Sequence, residues 1–259
     1  MSYNLNEYKE GTSLLHKLDA RIKIVCSFAA IVGVVVLSHW QTPLLVLFTC
    51  LALVIFSRAS MTTYLKRLLY PTYILIFVAV IQPFTYGSTP IATVPWLSLP
   101  IYQEGISFGI LVFTRALSAV AILNLLILVT PMEKVLDSLR WFRIPTSITD
   151  TMMLMFRYIS LLSEESARIR KAQESRLGYS KGVGIIRKLG NFGTMAGMLL
   201  ARSFDRALKV GDAMISRGYT GASNLFSYST TKLSRKDSLI GALVILTVIG
   251  LLLIDLFII

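Results

Sequence analysis

The chain has 259 residues, of which 54% are apolar and only 15% are charged, and its formal net charge is +12. This composition is too apolar for an ordinary soluble domain and indicates a membrane protein. Because the basic residues border apolar segments, membrane topology and anionic lipid account for them, and no binding to nucleic acid is expected. The two Cys and two His residues have no partners at metal-ligand spacing, so no metal site is predicted.

Five apolar segments predict an all-α, polytopic membrane protein with about five spans. A helix needs about 20 apolar residues to cross the hydrocarbon, and about 17 suffice when the flanking residues snorkel. If all five segments cross, the Lys and Arg residues outside them all share one side of the membrane; the segments themselves contain only Arg115, in the fourth, and Lys23, the second residue of the first. The positive-inside rule then predicts a cytoplasmic N-terminus and an external C-terminus. The segments are 22–40, 43–57, 71–84, 106–130 and 239–259, the second and third being the shortest.

Between the fourth and fifth segments the pattern changes to charged, amphipathic helices. A short helix over 132–142 is followed by Pro145, and Thr149 or Asp150 is expected to cap a long helix that ends near Leu177. After a turn, a further helical region over 185–218 stops at Gly218. The sequence therefore predicts a cytoplasmic helical coupling domain inserted before the last span. The predicted domains are 1–130, 131–237 and 238–259.

Two arginine triplets in the predicted coupling domain are candidate partner-binding sites. Arg202 and Arg217 are 15 residues apart, which is about 22 Å along an unbroken helix. Small neighbours leave each guanidinium free to bind a partner carboxylate. A simpler interpretation is that Arg217 complements the helix dipole and Arg202 is a solvated cation. The triplets are Ala201-Arg202-Ser203 and Ser216-Arg217-Gly218.

Other residues invite structural interpretations. Gly193 and Gly197 stand at a spacing that lets two helices approach closely. Arg115 lies in an apolar segment, so either pairing inside the bundle or a direct functional role is expected. Asp255, near the external end, is expected at the membrane interface.

Absent motifs exclude several functions. The chain has no P-loop motif, no H-E-x-x-H and no nucleophile elbow, so it is not expected to hydrolyse ATP or to bind a cofactor. The first four apolar segments contain no Asp or Glu, which disfavours an ion relay. Two alternatives remain open: a permease that works alone, and an integral membrane enzyme acting on lipid. Co-purification with ATPase partners would distinguish them from a coupling subunit.

An ordered set of motifs over nearly all of the chain resembles the transmembrane (T) component of energy-coupling factor transporters, the CbiQ/EcfT family. Individually these motifs are weak, and their order makes the set specific. The strongest runs from Arg202 to Gly221 and contains Ser216-Arg217-Gly218-Tyr219. The others are a lead-in over Ser13 to Asp19, Thr130-Pro131, Ile144-Pro145, Phe156-Arg157-Tyr158 and the series Glu164, Glu165, Arg168, Arg170 and Arg176.

The resemblance implies a non-catalytic subunit in a prokaryotic cell membrane. Such a subunit links two cytoplasmic ABC ATPase subunits, which bind ATP and Mg, to a separate substrate-binding membrane subunit of the S or CbiM kind. Each triplet is expected to end a coupling helix, with Arg202 and Arg217 each engaging acidic residues of one ATPase. The motif wording favours cobalt as the solute, and nickel or a vitamin remains an alternative.

Overall fold

A computed structural model of the chain describes residues 18–57, 60–87, 90–93, 100–180, 182–220 and 235–257. This part of the chain is helical apart from one two-stranded antiparallel hairpin, and the predicted all-α class is confirmed. The helices are α1 (Ala20–Val36), α2 (Gln41–Phe56), α3 (Met61–Thr85), α4 (Gln103–Val129), α5 (Met132–Leu139), α6 (Thr146–Ser175), α7 (Ile185–Ser216) and α8 (Arg235–Phe257). The strands are β1 (Pro90–Thr93) and β2 (Pro100–Tyr102).

The chain forms two compact units, which divide within α5 between Val135 and Leu136. The bundle unit contains α1 to α4, the hairpin and α8. The long-helix unit contains α6, of 30 residues, and α7, of 32 residues. The sequence-based domain boundaries at 130/131 and 237/238, with the functions attached to them, stay a prediction.

Helices α3, α4 and α8 are long and apolar enough to cross a membrane. The other two bundle helices are shorter, with 17 residues in α1 and 16 in α2. The residues before Pro71, for which the sequence allows either a loop or a short interfacial helix, are helical: α3 starts at Met61 and continues through that proline. A membrane helix tolerates proline when neighbouring groups satisfy the freed backbone. The connection after α3 contains the hairpin, in which Thr93 pairs with Pro100.

The core of the bundle unit is apolar and includes the buried hydroxyl of Tyr64. Tyr64 is completely buried, and its hydroxyl donates a hydrogen bond to the Ala121 carbonyl oxygen over 3.3 Å. The partner is necessary because an unpaired buried hydroxyl costs about 1–3 kcal/mol. The cluster around it comprises Val34, Leu37, Cys50, Val54, Ala121 and Ile122.

Two glycines in the first turns of α4 set its close contact with α3. A Cβ atom on Gly105 would lie 2.5 Å from the Tyr86 carbonyl oxygen, and one on Gly109 would lie 2.9 Å from the Ala79 carbonyl oxygen. These glycines are four residues apart on one face of α4, so they let the two backbones approach. The close helix approach that the sequence predicted for Gly193 and Gly197 is thus made in the bundle by Gly105 and Gly109, which have the same spacing.

Asp255, in the last turns of α8, holds the turn between α1 and α2. Its carboxylate is only 5% exposed and accepts hydrogen bonds from the backbone N–H of Ser38 at 2.6 Å and of His39 at 3.2 Å. The hydroxyl of Thr42 donates a third bond at 3.0 Å. Asp255 is therefore buried, with three donors to its carboxylate inside the protein, and its expected place at the membrane interface stays a prediction.

Arg115 fixes the same turn from α4. Its Nε donates to the Leu37 carbonyl oxygen over 2.7 Å, and Nη2 donates to the same oxygen. That carbonyl follows the last residue of α1 and has no partner within the helix, since helix ends leave such groups unsatisfied. Of the two interpretations of Arg115, the structure supports pairing inside the bundle.

Candidate partner-docking site

The start of α6 is organised by a buried ion pair. Pro145 stands at the N-cap and the helix begins at Thr146, so neither Thr149 nor Asp150 caps it as the sequence suggested. Asp150 is instead 1% exposed and pairs with the guanidinium of Arg140. The cap prediction was wrong because the helix already begins at Thr146, and the carboxylate of Asp150 instead neutralises the nearby arginine.

The end of α7 carries the second predicted triplet, and it is a well-formed helix stop. Arg217 is the C-cap and Gly218 has φ +82°, in the left-handed region that glycine favours. The N–H of Gly218 bonds to the Ile215 carbonyl at 2.9 Å, and that of Tyr219 bonds to the Met214 carbonyl at 3.0 Å. This pair of bonds is the Schellman motif, and the predicted stop at Gly218 is confirmed.

The end of α6 has the same construction. Arg176 is its C-cap, and Leu177 takes the left-handed position with φ +58°. The N–H of Leu177 bonds to the Glu174 carbonyl and that of Gly178 to the Gln173 carbonyl, both at 2.9 Å. Two long helices of this chain therefore end in the same motif, each with an arginine at the cap.

The two capping arginines match closely in geometry and surroundings. Arg176 has φ −91° and ψ 19°, and Arg217 has φ −90° and ψ 9°. Both are exposed, and neither makes an ion pair with a carboxylate of the described residues. Sequence reasoning missed Arg176 as the counterpart of Arg217. A repeat could have found it, because Ser175-Arg176-Leu177-Gly178-Tyr179 and Ser216-Arg217-Gly218-Tyr219 differ by one inserted residue.

The first predicted triplet does not end a helix. Arg202 lies in the middle of α7, which continues without interruption to Ser216. The expectation of a helix end there is wrong because residues 198–210 contain no Gly or Pro that could stop the helix. In the triplet, Ala201 is exposed and the Ser203 hydroxyl donates to the Leu200 carbonyl over 2.8 Å.

The Arg202 guanidinium already has a carboxylate partner within the unit. Its Nη1 donates to Glu165 Oε1 over 2.8 Å, and Arg206 Nη2 lies 3.6 Å from Glu165 Oε2. The hydrogen bond from Arg202 lowers the pKa of the Glu165 carboxyl below its usual range, and the Arg206 charge acts in the same direction. This cluster joins the middle of α6 to the middle of α7.

The turn between α6 and α7 has its own polar network. Gln173 Nε2 donates to the Asn191 carbonyl, and Asn191 Nδ2 donates to the Gly178 carbonyl, both over 2.8 Å. The Tyr179 hydroxyl donates to Gln173 Oε1 over 3.1 Å. These contacts hold the residues next to Arg176 against the start of α7.

One face of α7 is apolar and uncovered in the long-helix unit. Gly193 and Gly197 belong to this face, and no described atom lies within 4 Å of a Cβ built on either glycine. The helix packing predicted for them is thus not made by another described part of this chain. The large side chains of the face recur at intervals of three, four, seven or eight residues and are each more than half exposed: Ile185, Leu189, Phe192, Leu200, Phe204, Leu208 and Ile215.

Comparison with known proteins places these features in a family. The family model for CbiQ, described as cobalt transport protein, matches residues 11–228. The energy-coupling factor transporter transmembrane protein EcfT of Exiguobacterium sibiricum is 30% identical over 261 residues, covering 96% of this chain and 97% of that protein. The EcfT protein of Clostridium kluyveri is 28% identical over 242 residues, covering 90% of this chain and 89% of that protein.

A further relative comes from an archaeon. An uncharacterized protein of Methanocaldococcus jannaschii is 28% identical over 229 residues, which are 85% of this chain and 82% of that protein. The relatives with descriptive names are transporter membrane proteins, in agreement with the apolar helices α3, α4 and α8. The chain therefore belongs to the CbiQ/EcfT family and is a transmembrane component of energy-coupling factor transporters.

Proposed function

We propose that this chain couples ATP hydrolysis by two cytoplasmic ATPase subunits to a separate membrane subunit that binds the solute. In this proposal the chain itself binds neither ATP nor the solute, and its long-helix unit faces the cytoplasm. The matched ends of α6 and α7 support the proposal best. Two equivalent partner subunits require two equivalent contacts, and a repeated helix end with an exposed arginine supplies them.

Arg176 and Arg217 are the proposed docking residues. A guanidinium presents its donors in a planar fork that matches a carboxylate. Before docking, each cation is stabilised by the negative end of its own helix. Ser175 and Ser216 precede the two arginines and are small, so partner side chains can reach the guanidinium from that side.

The triplet at Arg202 is the alternative first docking site. To bind an ATPase, its guanidinium would exchange the Glu165 carboxylate for one on the partner, which yields little net gain. Arg176 has no described carboxylate to give up. We therefore favour Arg176 over Arg202 as the residue that acts together with Arg217, and the experiment below distinguishes the two.

Motion would pass through α6 and α7 as stiff rods. At about 1.5 Å per residue, helices of 30 and 32 residues are about 45 and 48 Å long. When ATP closes the two ATPase subunits, both docked ends move. The helices then carry that movement to the solute-binding subunit, for which the uncovered apolar face of α7 is a docking surface.

Cobalt is the favoured solute, because the matching family model is described as cobalt transport protein. Nickel and vitamins remain alternatives, since the relatives named EcfT carry no solute in their names. A permease working alone is the rival from a different class, and it requires no ATPase.

The test reverses one charge at a time in the assembled transporter. The variants are Arg176→Glu, Arg217→Glu and Arg202→Glu, with Arg187→Glu as control because Arg187 is exposed on α7 outside both triplets. Co-purification of the ATPase subunits and ATP-dependent uptake of radioactive cobalt are measured for each. Reversal at a docking arginine should weaken ATPase binding by about thirtyfold or more, the effect of losing a hydrogen-bonded charge pair.

Loss of binding at Arg176 and Arg217, with Arg202→Glu and Arg187→Glu near wild type, would support the proposed pair. Loss of ATPase binding in Arg202→Glu and Arg217→Glu, with no effect of Arg176→Glu, would support the sequence-based prediction that the two triplets dock the ATPases. Full ATPase recovery and uptake in Arg217→Glu would contradict the docking proposal. Uptake by the isolated chain without ATPase subunits would show a permease.

A further inference from the structure

We infer that Tyr219 and Asp150 are positioning residues: their hydrogen bond ties the end of α7 to the start of α6 and holds Arg217 ready for docking. This inference rests on the proposed docking role of Arg217. It concerns a polar cluster in the long-helix unit that the motifs of the sequence did not indicate.

The tie begins two residues after Arg217. The backbone N–H of Tyr219 completes the Schellman motif with the Met214 carbonyl at 3.0 Å. Its hydroxyl donates to Asp150 Oδ2 over 3.2 Å. Arg217 is therefore fixed on one side by the last turn of α7 and on the other by an anchored tyrosine.

The anchor itself is buried and neutralised. Asp150 is 1% exposed and pairs with the Arg140 guanidinium, whose side chain is 14% exposed. Arg140 also donates from Nε to the Thr149 hydroxyl over 3.2 Å and lies 4.0 Å from Asp137. Removing one partner of a buried ion pair is strongly destabilising, so this cluster is a rigid point of attachment for Tyr219.

Rigidity at this point matters because the last turn of a helix frays easily. Its final carbonyls lack helical partners, and the residues beyond them are held only by local contacts. A partner that binds a frayed end must order it, and that ordering reduces affinity. The bond between Tyr219 and Asp150 orders the end before the ATPase arrives.

The matched end at Arg176 provides the control. Tyr179 is the equivalent tyrosine, but its hydroxyl bonds to Gln173, which belongs to α6 itself. Removing that hydroxyl does not disconnect one helix from the other, because Gln173 and Asn191 still join them. Tyr179→Phe and Tyr219→Phe are therefore the same chemical change in two different settings.

The experiment measures position and docking separately in the full chain. Spin labels are placed at Met152 and Ile215, which are exposed and lie outside the cluster, after Cys26 and Cys50 are replaced by Ser. Pulsed electron paramagnetic resonance gives the distance distribution between the labels. Affinity for the purified ATPase pair is measured on unlabelled protein for Tyr219→Phe, Tyr179→Phe, Asp150→Asn and Arg217→Glu.

Tyr219→Phe should broaden the distance distribution and weaken ATPase binding about threefold to tenfold, the usual effect of losing one hydrogen bond. Tyr179→Phe should change neither the distance distribution nor the affinity for the ATPase pair. Tyr219→Phe is the primary variant because it leaves the Asp150 ion pair intact. Asp150→Asn should broaden the distribution and weaken docking at least as much as Tyr219→Phe does. A normal circular dichroism spectrum for Tyr219→Phe excludes unfolding.

The outcomes separate the inference from the proposed function. An unchanged distribution in Tyr219→Phe overturns the positioning role. A broadened distribution with normal docking in Tyr219→Phe, while Arg217→Glu loses docking, also overturns it. If Arg217→Glu docks normally, the proposed docking role of Arg217 fails, and the inference that depends on it fails too, although a broadened distribution would still establish the tie.

Discussion

The two units of this chain use the same kinds of residue in opposite ways. In the bundle unit, Gly105 and Gly109 are in contact with the backbone of α3, and the charge of Asp255 is satisfied by three donors. In the long-helix unit, Gly193 and Gly197 face no described atom of the chain. The capping arginines of that unit are exposed and lack a described carboxylate partner, and its apolar residues are uncovered along α7.

The difference separates self-contained structure from surface that is available to partners. A spacing of two glycines or an isolated arginine has no fixed meaning in a sequence. Its meaning depends on whether the chain itself supplies the complement, as the bundle does for Arg115 with the Leu37 carbonyl. Where the chain supplies none, as at Arg217, a partner subunit is the expected complement.

The largest effect on stability is expected from filling the glycine contact in the bundle. Gly105→Leu puts a side chain where even a Cβ atom would lie 2.5 Å from a carbonyl oxygen. Overpacking of this kind costs about 1–3 kcal/mol or more. The thermal unfolding midpoint of the purified chain in detergent should fall clearly relative to wild type.

Gly193→Leu is the matched substitution in the long-helix unit. Since glycine inside a helix is about 1 kcal/mol less favourable than alanine or leucine, the isolated chain should be unaffected or slightly more stable. If Gly193 packs against a partner as predicted, the same variant should weaken the assembled complex. Equal destabilisation of the isolated chain by both variants would remove the contrast between the units.

A smaller effect is expected at the two helix stops. Leu177 occupies the left-handed position that Gly218 occupies at the other end, with φ +58° against +82°. A residue with a Cβ pays roughly 1–2 kcal/mol there. Leu177→Gly should therefore raise the unfolding midpoint, and Gly218→Ala should lower it. Changes of the same sign in both variants would show that the two ends are not equivalent.

The smallest effect concerns the pairing of Glu165 and depends on pH. Its pKa is lowered by the hydrogen bond from Arg202, so the stabilisation is present above the ordinary carboxyl range and is lost as pH falls through the lowered value. Glu165→Gln should remove this acid-side contribution. The difference in unfolding midpoint between wild type and variant should shrink as pH is lowered from 7 to 3. A constant difference would mean that the ion pair contributes nothing.

Much of the fold could be predicted from composition. Apolar length identified the helices of the bundle, and amphipathic periodicity identified α6 and α7 to within a few residues of their ends. Contacts between distant residues could not be predicted in this way. Nothing in the spacing of Asp255 and Ser38, which are 217 residues apart, indicates that they are hydrogen bonded.

The candidate site was predictable in part. Gly218 after an amphipathic run indicated a helix stop, and the structure has it there. The stop at Leu177 was harder to see, because leucine occupies the position where glycine is usual and Gly178 follows one residue later. Arg202 was favoured instead because of its small neighbours, but small neighbours do not interrupt a helix. The structure shows that α7 continues through Arg202 to Ser216.

The position of Asp255 has a consequence for biosynthesis. The turn between the first two helices is held by a carboxylate that lies 217 residues beyond Ser38 in the chain. During translation, therefore, the carboxylate that holds this turn is made only after the whole of α6 and α7. Until the last helix is inserted, the N–H groups of Ser38 and His39 lack this acceptor, and the earliest part of the protein is completed last.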